Sequence, residues 1–144
     1  MSKSNLHETA YLKLVFQNVA MANIGDASGI QPSATAGSLY LALYKTDPTD
    51  ADSGNEANYT SYARVAVVRS AAGFTVSGAT VENTATATFP TSTGVSNVLT
   101  HFGIKTAAFP GGDLVGSGAL TSNLTVENGD TPKFDAGALV VTET

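Results

Sequence analysis

The sequence contains no cysteine, and this absence excludes two classes of site. Disulfide bridges and thiolate metal sites both require cysteine side chains, so neither can contribute to the stability or chemistry of this chain. A chain of 144 residues nevertheless buries roughly two thirds of its unfolded surface, so it needs no covalent cross-link to fold. The length is most simply that of a single domain.

Charged residues are also scarce, at 13% of the chain, and the net charge is -5. The seven lysine and arginine residues are scattered, whereas nucleic acids and anionic membranes are bound by clustered basic residues. We therefore expect neither a nucleic-acid partner nor a membrane partner. No apolar run approaches the roughly 18 residues of a membrane-spanning helix, and the amphipathic N-terminal segment is not that of a signal peptide.

The segment 38–45 alternates between two faces without interruption and predicts a strand, because successive side chains of a strand point to opposite sides of the sheet. Leu39, Leu41 and Leu43 share one face. The other face, with Tyr40, Ala42 and Tyr44, is also largely apolar. Both faces are therefore expected to contact protein, which favours a central strand in a sheet.

A helix is predicted before this strand, from Asn5 to Asn23. Asn5 can act as the N-cap with Glu8 three positions later, and Gly25 and Gly29 can end the helix. An apolar stripe contains Leu12, Phe16, Val19 and Ala20. The helix can cover an open end of the sheet, or it can lie against a partner chain.

Short alternating segments follow at intervals of about ten residues, which is typical of an all-β sandwich or barrel. Val98, Phe102 and Ile104 are the expected inward residues of one strand, and Asn128-Gly129-Asp130 indicates a hairpin. The sequence shows no clean internal repeat, and this argues against a solenoid or a propeller. The predicted strands cover residues 38–45, 61–69, 74–77, 79–89, 95–105, 113–120, 122–126, 133–134 and 138–142.

The predicted fold is therefore an antiparallel β-sandwich, jelly-roll or immunoglobulin-like, with eight or nine strands and one N-terminal α-helix. Residues 1–37 are expected to form a helix and connector arm, and residues 38–144 the β-sandwich, within one compact domain overall. The alternation of residues does not distinguish the two strand orders, because both satisfy it equally.

The acidic loop 46–58 is the first candidate for a partner contact, since long loops in small domains are usually functional. Arg64 and Arg69 lie on an otherwise apolar strand, where they protect a sheet edge or, as we favour, form salt bridges to another subunit. For 50–56 a solvated acidic loop is the favoured interpretation, with a partner contact and a calcium loop as alternatives, and the spacing of the acids does not match a calcium loop. The candidate contacts are Tyr40, Tyr44, Asp47, Asp50, Asp52, Glu56, Arg64 and Arg69.

No catalytic constellation is visible in the sequence. His7 and His101 have no carboxylate or serine fixed beside them, so we predict a surface position for His7 and a hydrogen-bonded structural role for His101. Gly116-Ser117-Gly118 lacks the glycine spacing and the strand-to-helix context of a nucleophile elbow. We therefore expect no enzymatic activity, no cofactor and no metal.

Several ordered segments resemble one family of proteins. The resemblance lies in 39–48 (LYLALYKTDP), 59–67 (YTSYARVAV), 98–104 (VLTHFGI), 116–120 (GSGAL) and 134–139 (FDAGAL). This set is similar to a family of small structural proteins of tailed bacteriophages, whose members are labelled tail fibre proteins or head decoration and cement proteins. The resemblance covers most of the chain after residue 38 and implies no catalytic residues.

The resemblance implies a structural protein of the phage particle, made in the cytoplasm of the bacterial host. The chain has neither the length nor the repeats of a fibre shaft, so a capsid decoration or cement protein that bridges neighbouring subunits is the first expectation. A tail fibre or tail-tip module for host attachment is the alternative, and a carbohydrate-binding β-sandwich module is the second. The expected partners are the major capsid protein or other virion proteins, and further copies in a homo-oligomer.

Overall fold

The structure is a computed structural model that describes residues 2–143. Within these residues the chain is all-β with one N-terminal helix, as predicted, and its secondary structure is consistent with a β-sandwich. The elements are α1 (Asn5–Gln17), β1 (Ser38–Tyr44), β2 (Val65–Val68), β3 (Phe74–Ser77), β4 (Thr80–Asn83), β5 (Ala87–Thr88), β6 (Asn97–Lys105), β7 (Leu114–Val126), β8 (Lys133–Phe134) and β9 (Val140–Thr142).

The strands form sheets of four, three and two strands, in the orders β2-β1-β6-β7, β3-β4-β9 and β5-β8. The pairs β1–β6, β6–β7, β3–β4 and β4–β9 are antiparallel. The alternation of residues in the sequence had not determined this strand order. The described helix is too short and too polar to span a membrane.

The chain forms two compact units. Unit 1 contains the residues up to Ser38, together with Val67–Thr86 and those from Phe134 onward. Unit 2 contains Leu39–Ala66 and Ala87–Lys133. The expected arm of residues 1–37 and sandwich of 38–144 within one domain stay a prediction.

In unit 1, α1 packs against β3 and β4. Leu12 and Phe16 lie one helical turn apart on the same face and are both buried. The Phe16 ring meets the Phe74 ring edge to face, with their centroids 5.2 Å apart. The helix therefore covers the three-stranded sheet, which agrees with the simpler of the two expectations for it.

The predicted ends of the helix were wrong. The N-cap is Ser4, whose Oγ accepts the His7 N–H at 3.4 Å, and Asn5 is already helical. The helix stops at Asn18, which takes the left-handed conformation with φ 56°. The side chain of Asn18 also exchanges two hydrogen bonds with the backbone of Ser33, and this favours an end at Gln17, six residues before the predicted end at Asn23. Val19 consequently lies outside the helix and is 46% exposed.

In unit 2, β1 is the central strand that its sequence predicted. It lies between β2 and β6, and side chains of both its faces are buried. Leu41 and Leu43 are fully buried on one face, while Ala42 and Tyr44 are buried on the other. The apolar character of both faces is thus explained by contacts within the chain.

Four strand predictions need correction. The strand predicted over 61–69 is only Val65–Val68, because a turn bonds the Tyr62 N–H to the Tyr59 carbonyl at 2.9 Å. The predicted strand 79–89 is broken into β4 and β5, while the predicted strands 113–120 and 122–126 are one strand, β7. Val98 was predicted to point inward, but it is 51% exposed, whereas Leu99 is fully buried. The inward-facing residue at the start of β6 is therefore one position later than predicted.

The sequence 128–130 forms a turn but not the predicted hairpin. The Asp130 N–H donates to the Glu127 carbonyl at 3.1 Å, and Gly129 adopts φ 95°. The strands on its two sides do not pair with each other, because β7 pairs with β6 and β8 pairs with β5. Local turn chemistry was therefore identified correctly, but the partner of each strand was not.

Candidate interaction surface

The acidic loop 46–58 of unit 2 is fastened to the strand before it. The Lys45 N–H donates to the Asn55 carbonyl and the Ala57 N–H donates to the Leu43 carbonyl, both at 2.7 Å. Thr49 and Asp52 adopt left-handed backbone conformations, which are costly for residues other than glycine and persist only where surrounding contacts hold them. The loop is therefore a shaped element of unit 2 rather than a solvated acidic tether.

Asp52 turns back onto the sheet. One carboxylate oxygen forms a salt bridge with the ammonium of Lys105, whose side chain is only 4% exposed, and the other accepts from the Tyr44 hydroxyl at 3.2 Å. Burial raises the pKa of Tyr44, and the nearby carboxylates of Asp52 and Glu56 raise it further. Asp52 thus compensates the buried cation of β6, which no property of the sequence indicated.

Glu56 and Arg64 form a bidentate ion pair in which both hydrogen bonds measure 2.8 Å. Arg64 is 4% exposed in its side chain, and its remaining terminal nitrogen donates to the carbonyls of Ala107 and Gly111 at 2.8 and 2.6 Å. One guanidinium therefore joins the acidic loop to residues 106–113, which we call the tip loop. The tip loop connects β6 with β7.

The tip loop presents an exposed aromatic ring. Phe109 is 66% exposed, and the guanidinium carbon of Arg64 lies 5.5 Å from its ring centroid. Thr106 and Asp113 close the base of the loop, since each donates its N–H to the other at 3.0 and 2.8 Å. An aromatic side chain whose position is already fixed loses little conformational entropy on binding, and aromatic residues are common anchors in protein interfaces.

The sequence analysis identified residues 109–112 only as a sharp loop and did not name Phe109 as a contact. The available signal was a large aromatic residue beside proline and two glycines, at a position where burial is not expected. The support from Arg64 could not have been found, because the two residues lie 45 positions apart in the chain.

The other predicted contacts have different environments. Asp47 and Asp50 are exposed on the acidic loop, and the Asp47 carboxylate lies 3.8 Å from Nε2 of His101. Nδ1 of His101 is hydrogen-bonded to the Thr100 hydroxyl at 2.8 Å, in agreement with a structural role. Tyr40 is half-buried on β1 opposite Lys105.

Arg69 belongs to unit 1 and binds the last turn of α1. Its guanidinium donates to the carbonyls of Val15 and Leu14 at 2.6 and 2.8 Å, and to the Ala36 carbonyl at 3.1 Å. These helix carbonyls have no partner within the helix, so the arginine caps the helix C-terminus. Arg64 and Arg69 thus make their observed bonds inside the chain, and their contact with another subunit stays a prediction.

A titration prediction follows from Tyr59, which is buried and donates its hydroxyl to the Pro90 carbonyl at 3.0 Å. Burial raises the pKa of Tyr59 to about 12 from an ordinary value near 10. Between these two values the unfolded chain loses the proton and the folded chain keeps it, so stability falls as pH rises. At pH 11 this tyrosine alone is expected to cost about 1 kcal/mol.

The measurement is urea unfolding of the protein and of Tyr59→Phe at pH 8 and pH 11. The variant is less stable at pH 8, since it lacks the bond to Pro90, but this deficit should shrink by about 1 kcal/mol at pH 11. Contributions of Tyr44 and Tyr62 cancel between the two proteins. An unchanged difference between the two pH values would show that the Tyr59 pKa is not raised by folding.

Comparison with known families gives a match over nearly the whole chain. The family model described as podophage GP4 fiber I protein gp80 matches residues 2–142, which include every helix and strand described above. The chain belongs to this family of phage fibre proteins. The resemblance to structural proteins of bacteriophages is thereby confirmed, and the chain is a structural protein of the virion that is made in the host cytoplasm. A comparison with curated proteins gives no match.

Membership in this fibre family changes the order of the two expected roles. The sequence analysis placed a capsid decoration or cement role first, because the chain is short and has no repeats. The family description carries a fibre label and lends no support to a cement role, so the tail-fibre alternative fits better.

Proposed function

We propose that the protein is a non-catalytic structural component of the phage tail fibre that binds neighbouring virion proteins. The match of residues 2–142 to the fibre I family is the observation that carries this proposal. The matched range contains both compact units, so the fibre assignment applies to the described fold as a whole. Other virion proteins are therefore its partners, and host attachment is served through the fibre to which it belongs.

The surface of unit 2 supports a binding role. Two charges beside the tip loop are paired internally, because Arg64 is neutralised by Glu56 and Lys105 by Asp52, while Asp113 at the end of the loop is exposed. Phe109 remains exposed on a loop that Arg64 holds from below through two carbonyls. An apolar ring on a preorganised loop loses little freedom when a partner covers it, so the ordering cost of binding is small.

Fractionation of phage particles tests the proposal. Purified particles are separated into heads and tails, and the protein is quantified in each fraction against the major capsid protein. A fibre component is expected in the tail fraction at a few copies per particle. Recovery on isolated heads in amounts comparable to the capsid protein would overturn the proposal and restore the decoration role.

A pair of variants extends the same experiment to the tip loop. Particles lacking the protein are supplied with the Phe109→Ala variant or with the Val95→Ala variant. Val95→Ala is the control, because Val95 is also an exposed apolar residue of unit 2, at 63% exposure. Loss of an aromatic anchor costs about 2 kcal/mol or more, so Phe109→Ala should be incorporated at least about tenfold less well at limiting concentration. Val95→Ala should be incorporated like the unaltered protein. Equal incorporation of the two variants would exclude Phe109 as an anchor.

A further inference from the structure

Strand β7 is the last strand of the four-stranded sheet, with β6 as its only neighbour in that sheet. A terminal strand presents a row of unpaired backbone N–H and C=O groups along its outer edge. Natural proteins usually protect such edges with lysine, with proline or with a very short strand. β7 has 13 residues, and none of them is Asp, Glu, Lys, Arg or Pro.

β7 pairs with β6 in two regular stretches, 116–119 and 124–126, and the first is the longer. Residues 116–119 pair in unbroken register with residues 101–104 of β6, and the register shifts on both sides of this stretch. The side chains of Ser117 and Ala119 are exposed. Four residues in regular extended conformation are thus available for pairing with another strand.

We propose that the β7 edge binds the β7 edge of a second copy of this chain, as an antiparallel pair related by a two-fold axis at Ser117. Two identical edges that face each other are related by an axis perpendicular to the sheet. Side chains directly opposite each other share a face, so this axis must pass through a residue rather than between two residues. An axis at Ser117 places Gly116 opposite Gly118 of the second copy.

Charge favours a second copy as the occupant of this edge. The chain carries a net charge of -5, so most of its surface repels an identical molecule. The uncharged β7 edge is free of this repulsion. With the axis at Ser117, no charged residue of the regular stretch 116–119 falls opposite another charge. The two Ser117 hydroxyls can then hydrogen-bond across the axis.

This inference does not depend on the tail-fibre proposal, because edge pairing is a property of the isolated protein in solution. The two are tested on different material, purified protein in one case and fractionated particles in the other. Failure of one therefore leaves the other unaffected.

Cysteine trapping gives a direct test, because the chain has no cysteine and any disulfide formed by a single-cysteine variant joins two chains. Directly opposite residues of an antiparallel pair have Cβ atoms about 4.5–5.5 Å apart, close to the separation in a disulfide. Ser117→Cys is expected to form covalent dimers at least about tenfold faster than Ala72→Cys, an exposed cysteine in a turn of unit 1. Equal rates for the two variants would overturn the proposal.

Sedimentation of cysteine-free protein supplies a second measurement. The unaltered protein is expected to dimerise reversibly. Ser117→Lys places like charges opposite each other and should raise the dimer dissociation constant about fivefold or more, while the matched control Ala72→Lys should leave it unchanged. A protein that is monomeric at all concentrations, or a Ser117→Lys variant that dimerises like the unaltered protein, would overturn the proposal.

Discussion

Arg64→Met is expected to lower the free energy of unfolding by about 3 to 5 kcal/mol. The substitution removes the ion-pair partner of Glu56, whose side chain is only 15% exposed, and leaves its carboxylate with the Tyr62 hydroxyl at 2.8 Å. It also leaves the carbonyls of Ala107 and Gly111 without their donor. Removing one member of a buried pair is costly because the other charge stays desolvated without compensation.

Urea unfolding of Arg64→Met beside Lys3→Met measures this effect. Lys3 forms a salt bridge with Glu143, but its side chain is 45% exposed, and solvent screening leaves a pair of this kind with little effect on stability. Both variants remove one positive charge, so the difference between them measures the buried contacts of Arg64 rather than the loss of a charge. A loss for Arg64→Met as small as that for Lys3→Met would show that the tip loop does not depend on this arginine.

Asn83→Ala should destabilise unit 1 by about 3 kcal/mol. Asn83 is 1% exposed; its amide nitrogen donates to the carbonyls of Ala85 and Asp135, both at 2.9 Å, and its oxygen accepts the Leu139 N–H at 2.9 Å. Alanine leaves the N–H of the buried Leu139 without its acceptor and removes the donor to the Ala85 carbonyl, and each unsatisfied buried group costs about 1 to 3 kcal/mol.

Asn128→Ala is the matched control, since Asn128 is exposed in the turn after β7 and the same atoms are removed. Its stability is expected to stay within about 0.5 kcal/mol of that of the unaltered protein. Thermal unfolding followed by circular dichroism suits both variants. If Asn83→Ala unfolds at the same temperature as Asn128→Ala, backbone groups around β4 must find other partners, and the assigned role of Asn83 is wrong.

Arg64 and Arg69 show the limit of prediction from the local sequence pattern. Each was conspicuous as a charge in an apolar strand, and a salt bridge to another subunit was the favoured explanation. In the structure Arg64 pairs with Glu56 and Arg69 caps α1 through carbonyls more than 50 positions earlier in the chain. A backbone carbonyl leaves no trace in the residue types, so the partners of Arg69 could not be deduced.

The sequence by itself determined the all-β class, the central position of β1 and the phage structural family. The alternation along 38–44 can be identified from adjacent residues alone, because side chains of a strand change face at every residue whatever the strand pairs with. Tertiary structure decided which strands pair, where the strand predicted over 79–89 breaks, and which charges are buried. It also placed β7 at a sheet edge and Phe109 above Arg64, because both depend on contacts between residues far apart in the chain.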